Sequence, residues 1–523
     1  LAAYAVNGTD CLPELLGDFG FVIWNEARGE MVAARDACGV KPLFRTHSGG
    51  ALVVGSRLLA ISTGDRYDEE FVADYLAGGF SSVGRTPFAG CSHVPPGTYL
   101  VARGEEVRER RYWSVAEHVG RPAAPTEERE ACEEFRRLFA DAVRLRVTGE
   151  GKTWSQLSGG LDSSSIVSMA ASLHEAGELP PLGGTVTVVD TLGDGDERRY
   201  SDLVVERYRL RNEQVFDRWM WEDDGYAPPL QDEPGIQYPF WRRNREVCGV
   251  VRAAGGRVIL NGGGGDQYLT GDLYYTTDLL RAGRLPSAVA ELARFAAAER
   301  TSFWALVRSH LVLPFLPLSL RMRFVHGRSS PVPSWVEPGF ARRANLAARR
   351  REYRLQPSRD GGHLAADLAE SFRVMAAFMD RGPYEDGVEM RYPFLYRPLV
   401  EMALRLPPEM FLRPRVTKWI LREAMRGVLP EGIRTRRGKG GPDARMTWSL
   451  TREAPRLEAM LRDPLIGQMG WIRPEGLRAA LAQARAGASP DLLAVHAALS
   501  LETWLLVTSG RWDDREVSSL TAA

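Results

Sequence analysis

The run Ser158-Gly159-Gly160-Leu161-Asp162-Ser163-Ser164 combines hydroxyls, two glycines and one carboxylate between a predicted buried strand and a predicted helix. Glycines let a backbone approach a ligand closely. The free amides of a helix N-terminus, with the serine hydroxyls, make a concave set of donors suited to a polyphosphate. Asp162 adds a carboxylate within reach of a phosphate-bound Mg²⁺. A plain Gly/Ser turn is the competing reading, and the joint occurrence of strand, spacing, acid and helix argues against it. A second run, Asn261-Gly262-Gly263-Gly264-Gly265-Asp266-Gln267, also follows a predicted strand and also ends in an acid. A glycine transfers no proton and places no charge, but it leaves room for a bulky reactant.

Such loops need strands and helices to carry them. Residues 153–157 read as a strand, 163–176 as a helix, 184–189 as a second strand, and 257–261 as another strand that runs straight into glycines. Strand, glycine turn, helix, strand is the signature of a parallel α/β sheet. Upstream, 19–24, 31–36, 51–56 and 97–101 are short β-prone runs separated by Gly, Asn and Asp, which predicts an antiparallel β-rich region with a helix near 69–76. The Pro- and Ala-rich stretch 121–126 reads as a linker, followed by a long amphipathic helix over about 127–146. The expected domains are therefore 1–120 and 121–523. From about 279 the pattern is mainly helical through a last helix near 492–507, without internal repeats.

A chain of 523 residues with 44% hydrophobic and 26% charged residues has ample material for a packed core, which excludes general disorder and a single small module. Its 67 basic and 67 acidic residues cancel, so no overall field draws it to nucleic acid or to a membrane, and neither is an expected partner. Only Lys41, Lys152, Lys418 and Lys439 are lysines, a bias that a GC-rich genome explains. The surviving lysines still point mildly to chemistry, since an ammonium is a compact phosphate ligand. Cys11, Cys38, Cys91, Cys132 and Cys248 stand singly and read as reduced, mostly buried thiols. The eight histidines form no metal-binding grouping. The apolar stretch 311–320 is broken by Pro314 and Pro317, is too short to span a bilayer, and reads as core rather than as a docking groove. The arginine-dense stretch 342–354 reads as a solvated helix face, with binding of an acidic partner as the sharper alternative. Without a secretory signal pattern, a cytoplasmic location is expected.

The Ser158 to Ser164 run resembles the pyrophosphate-binding loop of ATP pyrophosphatases that adenylate a carboxylate. Gly17-Asp18-Phe19-Gly20-Phe21, Ala34-Arg35-Asp36 and Gly39-Val40-Lys41-Pro42-Leu43 resemble the latter half of the class II glutamine amidotransferase domain of asparagine synthetases. Met390-Arg391-Tyr392-Pro393-Phe394-Leu395, Lys418-Trp419-Ile420-Leu421-Arg422-Glu423 and Arg436-Arg437-Gly438-Lys439-Gly440 resemble the synthetase motifs of that superfamily. The resemblance covers nearly the whole chain. It implies an α/β protein: a partial class II amidotransferase-like β-rich domain, then an adenylating domain with a parallel sheet and a helical C-terminal part.

The same resemblance implies ATP and Mg²⁺ as cofactors, with the metal on Asp162 and Asp266. Nucleotide and pyrophosphate would lie on Ser158, Gly159, Gly160, Ser163 and Ser164, with Gly263 and Gly264 lining the site. Glu389 would act as general base or positioning group, and Lys439 would stabilise charge on the transition state and the departing phosphate. The bland alternatives are a surface pair of Glu389 with Arg391 and a solvated loop lysine at 439. Lys418 opens a helix, and for it structural and functional roles stand equal; Lys152 has no motif.

Two departures narrow the reaction. The family's glutaminase uses an N-terminal Cys, whereas Leu1 enters at about that domain's midpoint, and Cys11 and Cys38 match non-catalytic segments. Either a start is missing or the glutaminase is degenerate. Where asparagine synthetases carry a Glu and β-lactam synthetases a Tyr, this chain has Gly263. These features resemble lasso-peptide macrolactam cyclases, which join an Asp or Glu side chain of a leaderless core peptide to its own N-terminal amine. Such an enzyme is expected to work with a leader-recognition protein and a leader peptidase. An asparagine-synthetase-type amidating enzyme and a noncatalytic ATP-binding relative are the alternatives.

Overall fold

The structure, a computed structural model, describes residues 1–64, 66–78, 84–119, 127–192, 196–219, 221, 228–235, 238–317, 320, 332–355, 368–369, 371–372, 374–375, 387–438, 443–488 and 492–512. The first part is built from seven strands: β1 (Gly20–Asn25), β2 (Glu30–Arg35), β3 (Phe44–Ser48), β4 (Ala51–Gly55), β5 (Ser92–His93), β6 (Thr98–Arg103) and β7 (Glu106–Arg111). They form two antiparallel sheets, β1-β2-β6-β7 and β4-β3-β5. The period of two on β2 explains how they stack. Val32 and Ala34 point into a small core with Leu12 and Tyr99, while Ala33 points the other way and packs with Leu43, Val94 and Leu100 between the sheets. Gly49 and Gly50, with φ of +59° and +79°, make the two-residue turn that joins β3 to β4.

The second part carries a parallel sheet, β8 (Thr153–Gln156), β9 (Gly184–Val189), β10 (Asn212–Phe216), β11 (Val258–Leu260) and β12 (Glu389–Arg391), in the order β10-β9-β8-β11-β12. The chain winds outward from β8 to β10, then returns to place β11 and β12 on the other side of β8. The strand order therefore reverses between β8 and β11, where open α/β sheets form their ligand crevice. β8 is buried because both its neighbours are strands and helices cover its faces. Helix Glu128–Arg144 buries Ala131, Phe135, Leu138, Phe139, Ala142 and Val143, a single stripe at the helical period. That stripe shares one core with helix Leu161–Glu175, with Phe394, Leu399 and Ile420, and with Ala37, Cys38, Val40 and Trp113 of the first part. The two parts are thus joined through a common apolar interior. A second core packs the almost wholly buried helix Leu492–Thr508 with helix Glu69–Leu76.

The expected architecture is the one observed. The strands over β1, β2, β4, β6, β8, β9 and β11 fall where the sequence places them, within a residue or two. β3, β5, β7, β10 and β12 do not show in the pattern; β5, β7, β10 and β12 lie at sheet edges, whereas β3 is the central strand of its sheet. An edge strand has one flank open to water and takes charged side chains, as in Glu-Val-Arg-Glu-Arg-Arg of β7, which erases the apolar alternation. The linker at 121–126 lies outside the described residues.

Two surface readings need correction. The arginine-dense stretch is no free solvated face: Arg343 pairs with Glu69 at 3.0 Å and Arg349 with Glu70 at 2.7 Å and with the buried Asp74. Those acids lie on helix Glu69–Leu76, so the arginines dock the C-terminal part onto the first part. The stretch from 311 is only half core. Leu311 and Pro314 are buried, Leu311 packing with Ala288 and Leu292, whereas Val312, Phe315 and Leu320 are exposed. All five cysteines are free and only Cys132 is not buried. Among the described residues no helix is long and apolar enough to cross a membrane.

Candidate active site

The loop after β8 is closed by its own side chains. Ser163 accepts from the Ser158 amide at 3.1 Å, its hydroxyl lies 2.9 Å from that of Ser158, and the Gly160 amide donates to Ser158 Oγ at 3.3 Å. Gly159 has φ +75°, and a Cβ there would lie 2.8 Å from the Glu197 carbonyl oxygen and 2.9 Å from Tyr200 Cβ. Only glycine meets both demands. Helix Leu161–Glu175 begins two residues earlier than its sequence suggests, so Asp162 and Ser163 sit in its first turn, where the dipole favours anions. Ser164 is fully buried and belongs to the packing beneath the loop rather than to its surface.

The loop after β11 packs directly against that helix start. Asn261 donates to Gln156 Oε1 at 2.6 Å, tying the ends of β11 and β8, and accepts from the Gly263 amide at 2.7 Å. A Cβ at Gly262 would stand 3.1 Å from the Ser163 nitrogen, and one at Gly265 would stand 3.0 Å from Asp162 Oδ1. At Gly264, with φ +101°, it would lie 2.6 Å from Leu395 Cδ2. Gly264 is therefore required by close approach and by its φ, and Gly262 and Gly265 sit in tight contact with the start of the helix. Gly263 itself contributes only main chain, as its sequence implies.

Lys418 joins the two loops. Its ammonium lies 2.6 Å from Asp266 Oδ1 and bonds Asp162 Oδ2 as well, with the lysine 6% exposed. The residue adopts φ +53°, a left-handed conformation that costs a non-glycine residue on the order of 1 kcal/mol. Strain of that kind persists where the surroundings enforce it. Lys418 thus lies between the two loops, bonded to both carboxylates. Two carboxylates from separate loops already share one cation here, and such hard oxygen donors suit Mg²⁺, so the residues fit that metal.

Glu389 is placed elsewhere. It opens β12 opposite Val258, three residues ahead of Asn261 on the neighbouring strand, and its carboxylate bonds Lys41 at 3.0 Å and Arg391 at 2.8 Å. Burial alone would raise its pKa; the hydrogen bonds from Arg391 and Lys41 outweigh that and hold it below the ordinary carboxylate value. The structure therefore brings the loop with Ser158, Gly159, Gly160, Asp162 and Ser163 against the loop with Gly263, Gly264 and Asp266 at the β8/β11 switch, with Lys418 bonding Asp162 and Asp266, and leaves Glu389 ion-paired with Lys41 and Arg391. Lys439 lies outside the described residues. Sequence reasoning missed Gln156 and gave no role to Asn261 or Lys41, although both stand in runs it singled out.

The Lys41 loop is rigid. Asp36 accepts from the amides of Cys38, Val40 and Lys41 at 2.9 to 3.1 Å, while Arg35 donates to the carbonyls of Gly39, Lys41 and Val94. Burial pushes the Asp36 carboxyl up to about 6 against the pull of those backbone bonds. A second clasp joins the two parts further on. His93 of β5 meets Glu233 at 3.2 Å with both residues buried, and Asp232 takes Arg57 at 2.8 Å.

Comparison with known proteins agrees with this arrangement. Residues 1–113 match a glutamine amidotransferase domain, and residues 134–506 match asparagine synthase. The chain is 25% identical over 486 residues to the amidase chyE of Penicillium rubens, covering 83% of this chain and 70% of that protein. It is 24% identical over 462 residues to asparagine synthetase 1 of Bacillus subtilis, covering 84% and 70%. With asparagine synthetase 3 of the same organism identity reaches 33% over 190 residues, 35% of this chain and 30% of that protein. With a match over well more than half its length, the chain belongs to the asparagine synthase family.

Proposed function

We propose that this chain is an ATP-dependent, AMP-forming carbon–nitrogen ligase that closes a macrolactam in a leaderless core peptide. The observation that carries the ligase reading is the convergence of Asp162 and Asp266 on Lys418 beside the Ser158 loop at the sheet's switch point. A substrate carboxylate would attack the α-phosphorus of ATP and expel pyrophosphate toward Ser158, Gly159, Gly160 and Ser163. An amine would then attack the acyl carbonyl, release AMP and lose its proton. Asp162 and Asp266 would hold Mg²⁺, which supplies positive charge to the phosphate oxygens. Lys418 would then turn its ammonium to a phosphate oxygen, a second positive group on the leaving side. Lys439 is proposed to serve the same developing charge. Glu389, held by two cations, suits positioning better than proton transfer.

The peptide reading rests on Gly263, which puts no reactive side chain where asparagine synthetases carry a Glu and β-lactam synthetases a Tyr. Ring closure uses no ammonia. The leader-recognition protein, the leader peptidase and the cytoplasmic setting belong to the proposal on resemblance alone. A second reading, amidation of a small acid, is favoured by the similarity to asparagine synthetase 1 over 84% of the chain. The test is AMP release from Mg·ATP with aspartate plus ammonium, run beside leaderless peptides bearing a free N-terminus and an internal Asp or Glu, with products weighed. A peptide lighter by one water, with aspartate inert, supports the cyclase. Asparagine formed in step with AMP overturns it in favour of the second reading.

A further inference from the structure

We propose that Arg436 is a positioning residue for the pyrophosphate loop and acts through the carbonyl of Gly159. The Arg436 guanidinium donates to that oxygen at 3.2 Å, pairs with Glu197, and lies over the Tyr200 ring with its carbon 4.0 Å from the centroid. Arg436 and Glu197 are 13% and 11% exposed, so the pair is largely shielded from water. The same two elements press on Gly159 from below, since Glu197 and Tyr200 are the atoms a Cβ there would strike.

The consequence follows from peptide geometry. No peptide bond among the described residues is cis, so the carbonyl of Gly159 and the amide N–H of Gly160 lie in one plane and point in opposite directions. Arg436 draws the carbonyl outward. The Gly160 amide is thereby aimed inward, at 3.3 Å from Ser158 Oγ, where the hydroxyls of Ser158 and Ser163 converge. If this peptide turned over, it would present a carbonyl oxygen instead of a donor to an arriving phosphate. Arg436 already has its charge matched by Glu197, so its effect on the anion runs through the fixed peptide rather than through direct contact. Glu197 and Tyr200 hold the guanidinium while it donates to Gly159.

The inference rests on the reading of 158–163 as the pyrophosphate loop, and binding of Mg·pyrophosphate and of AMP to the whole chain separates the two. Wild type should bind both ligands. Arg436→Met should bind pyrophosphate about tenfold more weakly, the loss expected for one misaimed hydrogen bond to a charged group, with AMP affinity unchanged. Arg436→Lys, which can still donate once to Gly159, should recover part of the loss. Wild type failing to bind pyrophosphate overturns the loop reading and the inference together. Wild type and Arg436→Met binding pyrophosphate equally overturns the inference alone, as does an equal loss for both ligands with a lowered melting temperature, which marks a merely structural role. Should Arg436→Met not fold, the ratio of pyrophosphate to AMP affinity in Arg436→Lys and Glu197→Gln decides by the same criterion.

Discussion

The ammonium of Lys41, on the rigid loop between β2 and β3, lies 3.0 Å from the carboxylate of Glu389 at the start of β12. One ion pair thus links the amidotransferase-like part to the edge strand of the parallel sheet. The pair is partly open to water, and solvent screening keeps the stability cost of Lys41→Met below about 1 kcal/mol. The pH response has a definite sign. Glu389 has a folded pKa below the ordinary 4.5, so its contribution is full above that value and is lost as pH falls through the lower folded one. Unfolding of wild type and Glu389→Gln in urea should differ by a constant amount above pH 4.5 and converge below it. A gap that does not shrink in acid would show that the ionised form is not favoured by folding.

Removing the Lys418 ammonium leaves Asp162 and Asp266 facing one point without the cation they share. In Lys418→Met, Mg²⁺ should raise the melting temperature by more than it does in wild type, because a metal can replace the lost charge. AMP formation should fall by about 100-fold or more, since a group aimed at the leaving phosphate is gone. Thermal melts with and without Mg²⁺ check the first statement, and equal shifts would refute it.

Glycines at two positions should respond in opposite ways. Gly265→Ala sets a methyl 3.0 Å from Asp162 Oδ1, which pushes the carboxylate aside and should raise the KM for ATP by about tenfold. Gly249, in helix Trp241–Ala253, has nothing within 4 Å of its Cβ position. Gly249→Ala should therefore stabilise the chain by about 0.5–1 kcal/mol with kinetics unchanged. Steady-state kinetics and urea unfolding on the two variants read both effects.

The two interdomain contacts at 232 and 233 differ in burial, and their loss should differ accordingly. His93 and Glu233 are 6% and 2% exposed, so His93→Ala takes a partner from a carboxylate shut away from water and should cost about 3 kcal/mol. Arg57 is 53% exposed, and Arg57→Ala should cost less than about 1 kcal/mol. Denaturant midpoints give the ranking directly, and equal costs would contradict it.

Much of the site was legible in the chain because it is local. A strand followed by Ser158-Gly159-Gly160-Leu161-Asp162-Ser163 needs only short-range sterics and helix-terminus donors to become an anion loop, and the glycines before Asp266 report a close approach in the same way. The buried strands β9 and β11 were readable for a related reason, since burial writes itself into runs of Val, Ile and Leu. The edge strands β10 and β12 were not, because half their surroundings is water.

What only the tertiary structure decided is which charges meet. Lys418 reaches Asp162 across 256 residues, Arg436 reaches Gly159 across 277, and Lys41 reaches Glu389 across 348. An isolated lysine or arginine in the sequence has the same composition and propensity whether it ends in solvent or between two carboxylates. Its partner is set by the strand order that brings β8 beside β11 and by the packing that seats the first part against β12, long-range choices that no local spacing records.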